Sequence, residues 1–198
     1  VMDEGGGVMC SGGTDTEFRK CLFISNTADW AGGFCSSGAG AAPRVYDSFF
    51  AWNESGHGGA VGAHYSSTTH LTDVTIANNS GFFDGGGISC LWGGSVEIER
   101  GLIANAWEGE AIYCDGTSSA NLNCCNVYGN AGGDWVGHIA GQYGTNGNIS
   151  EDPLFCGGEG IPDEFMLETG SPCAAENNPG CGQIGAFALA RPREHGAV

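Results

Sequence analysis

Six ring-bearing side chains recur at places where they could meet a ligand. Trp30, His57, Phe82, Phe83 and Trp107 follow an asparagine by four or so positions, and Trp135 follows the last asparagine of the same series. Brought into one column, such rings could stack on sugar rings or dock a partner, or they could pack on one another and seal an edge. Asp29, Asp84 and Asp134 lie near these rings, so calcium is the one cofactor the pattern admits, although no Asp-x-Asp-x-Asp-Gly run supports it. No metal site or other cofactor is expected. Polysaccharide cleavage would need a cation beside clustered carboxylates, and the candidates are Arg44 with Asp47, and Arg100 with Glu97 and Glu99. Charges on alternating strands are in general a solvated face. A nucleophilic cysteine is not expected, because no histidine keeps a fixed spacing to any of the ten cysteines.

The elements that must position these residues are set by a repeat. Phe23 precedes Asn26, Phe50 precedes Asn53, Ile76 precedes Asn79, Leu102 precedes Asn105 and Val127 precedes Asn130, always by three places. The asparagines are spaced by 27, 26, 26 and 25 residues. Glycine pairs at 6–7, 32–33, 58–59 and 86–87 keep nearly the same beat, and Glu110 replaces the second glycine of the fifth. A short strand follows each pair, as in Phe34-Cys35 or Ile88-Ser89-Cys90, and a longer alternating one runs up to each asparagine, as in Val45 to Phe50 or Leu71 to Ile76. A fixed period in the twenties means stacked units that bury a face only against one another. The chain therefore reads as all-β, a right-handed parallel β-helix of about six coils of roughly 26 residues. Repeats occupy 1–135, irregular final coils and a cap 136–190, and a flexible tail or linker 191–198. In register, Asn26, Asn53, Asn79, Asn105 and Asn130 would form a structural ladder of amide hydrogen bonds.

A coil rise of about 4.8 Å constrains the cysteines. Cys10 with Cys35, and Cys90 with Cys114, follow their glycine pairs in adjacent coils and are geometrically able to bond. Cys21 and Cys125 share a phase but lie about 19 Å apart and cannot. Cys173 and Cys181 read as a small closed loop, and Cys156 as a partner for Cys124 or Cys125. Cys21 and one of that doublet are left as thiols.

The 198 residues carry 6 basic and 23 acidic side chains, a net charge of −17 that repels nucleic acid and anionic membrane. Ten cysteines in a chain of this length, without zinc-type spacing, point to an oxidising compartment, hence to a secreted or cell-surface protein. No apolar run approaches a membrane span and no signal peptide is present, so a leader and earlier coils are expected to precede Val1. The sequons at Asn53, Asn78 and Asn148 matter only if the source glycosylates asparagine.

Apolar-x-x-Asn alternating with Gly-Gly-apolar is similar to the repeats of the chlamydial polymorphic outer-membrane proteins and of bacterial secreted β-helices in the pectin-lyase-like superfamily. The stretches N-I-S-E-D-P-L-F-C and S-P-C-A-A-E-N-N-P-G-C-G-Q-I-G-A resemble the closing segment of such proteins. The resemblance covers nearly the whole chain and implies the fold; the superfamily mixes lyases, hydrolases and non-catalytic adhesins. Gly56-His57-Gly58 resembles the G-H-G motif of polygalacturonases, but the Asn-Thr-Asp element and upstream aspartate pair of that family are absent here. The expected function is non-catalytic: a structural or adhesive surface protein, self-associating by stacking into a filament or binding surface glycan. The alternatives are a polysaccharide lyase or hydrolase, and a carbohydrate-binding module.

Overall fold

The computed structural model describes residues 3–187. The chain winds as a parallel β-solenoid. Its first rung is β1 (Val8–Ser11), β2 (Glu17–Arg19), β3 (Leu22–Ile24) and β4 (Thr27–Trp30), and its second is β5 (Phe34–Ser37), β6 (Arg44–Tyr46), β7 (Phe49–Ala51) and β8 (Glu54–His57). The third is β9 (Val61–His64), β10 (Thr68–Thr72), β11 (Thr75–Ala77) and β12 (Ser80–Asp84). The fourth is β13 (Ile88–Leu91), β14 (Ser95–Glu99) and β15 (Leu102–Ala104), and the fifth β16 (Ile112–Cys114), β17 (Ser119–Asn123) and β18 (Asn126–Tyr128). Equivalent strands pair in parallel into three five-stranded sheets and a shorter one of β4, β8 and β12. Five rungs enclose about four turns, fewer than the six expected, because the chain after Asn130 leaves the stack.

Each longer strand of the repeat is in fact two. A single left-handed residue divides them: Lys20, Asp47, Asp73, Arg100 and Cys124, each with φ near 50°. A second such column, Ser25, Trp52, Asn78, Asn105 and Gly129, ends the third sheet, and a third, Gly5, Ala31, Gly58, Gly85 and Gly109, precedes the first. A one-residue corner re-aims the chain without breaking the alternation of apolar residues, so the sequence shows no interruption where the backbone bends. Gly59 shows why the position after the last corner is small: a Cβ there would lie 2.3 Å from the Gly86 carbonyl oxygen of the next rung.

The core is three apolar columns, one per long sheet. Phe34, Val61, Ile88 and Ile112 stack in the first, Phe18, Val45, Leu71, Ile98 and Leu122 in the second, and Phe23, Phe50, Ile76, Ile103 and Val127 in the third. The Phe23 and Phe50 rings stack 4.5 Å apart, near the spacing of two rungs.

The third column corrects the ladder. Ile76 faces Ile103, not Leu102, so the amide slot of the fourth rung falls on Ala106 and Asn105 becomes the left-handed corner before it. Asn26 Nδ2 donates to Asn53 Oδ1 at 2.9 Å, and Asn53 Nδ2 to Asn79 Oδ1 at 2.9 Å. The ladder lapses at Ala106, whose amide still donates to Asn130 Oδ1 at 3.1 Å. Asn53 and Asn148 are sealed inside, which closes two of the three sequons to glycosylation.

A 3-10 segment, Gly137–Gln142, lies over the end of the last rung. It inserts Ile139 into the core, while Gln142 accepts from the Leu122 amide and donates to the Ala120 carbonyl. The chain then runs back along the outside of the third sheet. Phe165 and Phe187 pack on Phe49 at 4.6 and 4.9 Å, and Leu167, Cys173 and Ile184 cluster with Leu102 and Ala104. That return explains why strands of this sheet are apolar on both faces. Within the irregular coils expected over 136–190, strand pairing among the described residues is reduced to the isolated bridges of Ile149 with Asn126 and Phe155 with Leu167. The tail at 191–198 lies outside the described residues.

The cysteines depart most from expectation. Cys124 bonds Cys181, so the Cys173–Cys181 loop is not formed and Cys156 is a thiol. Cys10 pairs in register with Ser36, and Cys35 with Met9, which puts Cys10 in the core and Cys35 on the opposite face against His64. Cys90 and Cys114 are direct register neighbours in the core, and both are thiols. Cys125 is buried in the core, and burial pushes its thiol up to about 12. Cys21 is a partly buried thiol.

Candidate functional site

The short fourth sheet places Trp30, His57 and Asp84 in register on successive rungs. Stacked strands stand about 4.8 Å apart, so side chains at one register position lie over one another. The Trp30 and His57 rings are 4.0 Å apart and within 10° of parallel. A register shift in β12 between Gly81 and Asp84 leaves both Phe82 and Phe83 in the space of one residue and turns them outward. They are 69% and 70% exposed, far beyond what a packed ring leaves to solvent. Phe83 lies 5.2 Å from His57 and meets Phe82 edge-on at 4.9 Å.

The row is longer at its other end than the sequence suggested. Trp92 lies 5.0 Å from Trp30, and Tyr65 stacks on Trp92 at 4.5 Å. Both occupy left-handed positions after strands of the first sheet, outside the asparagine-to-glycine phase, so the repeat gave no reason to group them with Trp30. Two expected members fall elsewhere. Trp107 is exposed at the same edge, one rung on, without joining the stack. Trp135 packs against the core, with Nε1 donating to the Ile149 carbonyl at 3.1 Å and Tyr143 at its side.

Trp30, His57 and Phe83, with Ala28, Asp29 and Gly56, line a cleft of about 350 Å³. His57 Nδ1 is 2.6 Å from Asp84 Oδ2, which fixes the imidazole. Asp84 is buried, and burial raises its carboxyl pKa against the opposing pull of the His57 contact. Its second oxygen, Oδ1, has no hydrogen-bond partner among the described residues.

Beneath Trp30 and Trp92 lies a line of polar groups that sequence spacing did not reveal. Cys35 Sγ is 3.6 Å from His64 Nδ1, and His64 Nε2 is 3.2 Å from Ser89 Oγ. Cys35 and Ser89 share a register position on either side of Gly62, and the ring of His64, two residues on, lies against that glycine, so the histidine is out of step with the repeat. All three are buried. Burial raises the Cys35 thiol and lowers His64 to about 4, helped by repulsion from His57. A protonated thiol beside a neutral imidazole is a packed pair, not an activated nucleophile.

That low value has a measurable sign. An unfolded histidine titrates near 6.5, so between pH 6.5 and 4 the unfolded chain binds the extra proton. The contribution of neutral His64 is complete above about pH 6.5 and declines as pH falls, by up to about 3 kcal/mol at pH 4. Urea unfolding at pH 7 and pH 4.5 should show this loss in the wild type and a reduced one in His64→Gln. An equal loss in both would assign it to other groups.

A second depression, of about 510 Å³, runs over the outer face of the second sheet. Its floor is two register rows, His70 with Glu97 and Asn121, and Thr72 with Glu99 and Asn123. Asn121 Nδ2 donates to Glu97 Oε1 at 2.8 Å. Arg100 is held by both oxygens of Asp73, at 2.6 and 2.9 Å, and by Glu99, and these carboxylates raise its pKa further. Arg44 pairs with Asp15 rather than Asp47. Among the described residues, no group of three His, Cys, Asp or Glu side chains converges as for a metal ion, and no helix is long and apolar enough to cross a membrane. No family model, no curated protein and no solved structure matches this chain.

Proposed function

We propose that this protein is a non-catalytic β-solenoid of the cell surface or extracellular space that adheres to surface glycan through the aromatic edge. The observation that carries the reading is the pair Phe82 and Phe83, about two-thirds exposed on a bulge while Trp30 and His57 behind them are stacked and fixed. Exposed apolar rings are costly unless they are used, and a rigid row of them offers contact area without ordering entropy. An oxidising compartment is supported by the bond between Cys124 and Cys181, 57 residues apart. The Asn and Gly-Gly beat supports a place among repeats of the pectin-lyase-like and chlamydial polymorphic type. Phe82→Ala with Phe83→Ala should weaken binding to immobilised glycans at least tenfold and leave the unfolding temperature unchanged, since neither ring is in the core. Undiminished binding would remove the edge from the function.

A second reading, polysaccharide cleavage, is favoured by the groove that gathers His70, Glu97 and Glu99 on one face. Against it, Arg100 is committed to Asp73 and Glu99, and the residues that line the groove include no Lys or Arg. Incubation with uronic-acid polymers, with and without calcium, separates the two: new chain ends that vanish in Glu97→Gln would replace adhesion with catalysis.

A further inference from the structure

We propose that the cleft between Trp30, His57 and Phe83 is a subsite for a neutral pyranose ring and discriminates against acidic sugars. The inference rests on the adhesive reading and names the class of glycan. Its volume, about 350 Å³, is at the small end of ligand pockets and suits one or two sugar rings. Two of its walls are aromatic, and the C–H face of a pyranose is the surface that packs on such rings. The polar groups are few and fixed. Asp29 is an exposed carboxylate at the rim; its Oδ2 accepts from the Asp3 amide at 3.2 Å, and its remaining lone pairs can accept from a sugar hydroxyl. His57 is held through Nδ1 by Asp84 and clamped against Trp30, so it presents Nε2 in one orientation.

A hydroxyl both donates and accepts, so it can satisfy Nε2 in either protonation state and Asp29 as well. A sugar carboxylate only accepts; it would meet Asp29 without a proton between them, in the field of a chain carrying net charge −17. The bias is therefore built from repulsion as well as contact. Gly56 is fixed by close neighbours, since a Cβ there would sit 2.9 Å from the Asp29 carbonyl oxygen and 3.3 Å from the Phe83 ring.

The test uses the full chain, cellohexaose and maltohexaose as neutral probes and hexagalacturonate as the acidic one, followed by calorimetry and by the His57 imidazole resonances. The expected result is that at least one neutral probe shifts those resonances and binds at least tenfold more tightly than hexagalacturonate. Asp29→Ala and His57→Phe, the latter keeping a ring in the stack, should each weaken the neutral probe at least fivefold. Asp29→Asn should narrow the gap to the acidic probe. Preferred binding of hexagalacturonate, no neutral binding, or neutral affinity indifferent to Asp29 and His57 would overturn the inference. If the Phe82 and Phe83 variant still loses glycan adhesion in those cases, the adhesive reading survives alone; if it adheres like the wild type, both fall.

Discussion

Asn53→Ala is expected to lower the free energy of unfolding by about 4 kcal/mol. Asn53 is fully buried and, besides the bond its carbonyl accepts from the Ser80 amide, takes part in five hydrogen bonds that involve a side-chain atom. Its Oδ1 accepts from the Asn26 amide and from Asn26 Nδ2, at 3.0 and 2.9 Å. Its Nδ2 donates to the Phe23 carbonyl at 2.8 Å and to Asn79 Oδ1 at 2.9 Å, and its own amide donates to the same oxygen at 2.9 Å. Alanine keeps only the last of these. The Asn26 amide and Nδ2 lose their acceptor at a half-buried corner, and the Phe23 carbonyl loses one of its donors, at about 1–3 kcal/mol for each group left unsatisfied before relaxation. Asn105→Gly is the control: it keeps the left-handed corner and touches no rung of the ladder, so a change below about 0.5 kcal/mol is expected. Ala106→Asn supplies the missing rung and should stabilise by about 1 kcal/mol. Urea unfolding midpoints at constant m-value measure all three. A ladder that is ornamental would show Asn53→Ala and Asn105→Gly with the same small effect.

The contrast between Asn53 and Asn105 also marks how far the fold was legible from sequence. Periodicity identifies parallel stacking because every rung repeats the same apolar positions, and a stack needs nothing more to be recognised. Register within a rung is harder. Leu102 and Ile103 are both apolar, and Asn105 and Ala106 both fit a small-residue corner, so a pattern of three residues followed by asparagine slips by one place without penalty. The backbone decides it through the position that turns left-handed, and asparagine is among the residues that tolerate that conformation. The return of the chain along the third sheet was equally hidden, because Phe49, Leu102, Phe165 and Ile184 reveal their contacts only once the solenoid has its shape. At the candidate site, Trp30, His57 and Phe83 were visible because they share the phase of the repeat. Tyr65 and Trp92 were not, because they stack at equivalent corners of only two adjacent rungs, nor was the line from Cys35 through His64 to Ser89, which runs diagonally through His64. The site is thus part column and part pair of corners, and only the column recurs over enough rungs to be recognised.

The bond between Cys124 and Cys181 carries the second large effect, and it concerns the part of the fold that the repeat does not hold. Cys124 is the left-handed corner at the end of β17, and Cys181 lies in the segment that returns along the third sheet. Gly147 fits against both sulfurs, where a Cβ would lie 2.3 Å from one and 3.0 Å from the other. Residues 150–187 have few ladder bonds of their own; they are held by Phe165, Leu167, Ile184 and Phe187 on the sheet and by donors such as Gly185 to the Arg100 carbonyl and Ala186 to Thr75 Oγ1, both at 2.9 Å. Closing a loop of 57 residues restricts the unfolded chain by about 4 kcal/mol in the entropic model. Cys181→Ser should therefore lower stability by about 2–4 kcal/mol, and the loss should appear first as local opening. Amide exchange at Gly185 and Ala186 is expected to accelerate at least a hundredfold while the amides of β10 and β11 change little, and reductant should reproduce this in the wild type. Cys156→Ser, removing a thiol outside the bond, should do neither. Uniform acceleration through the solenoid would mean that the returning segment and the stack unfold as one unit, with the disulfide holding both.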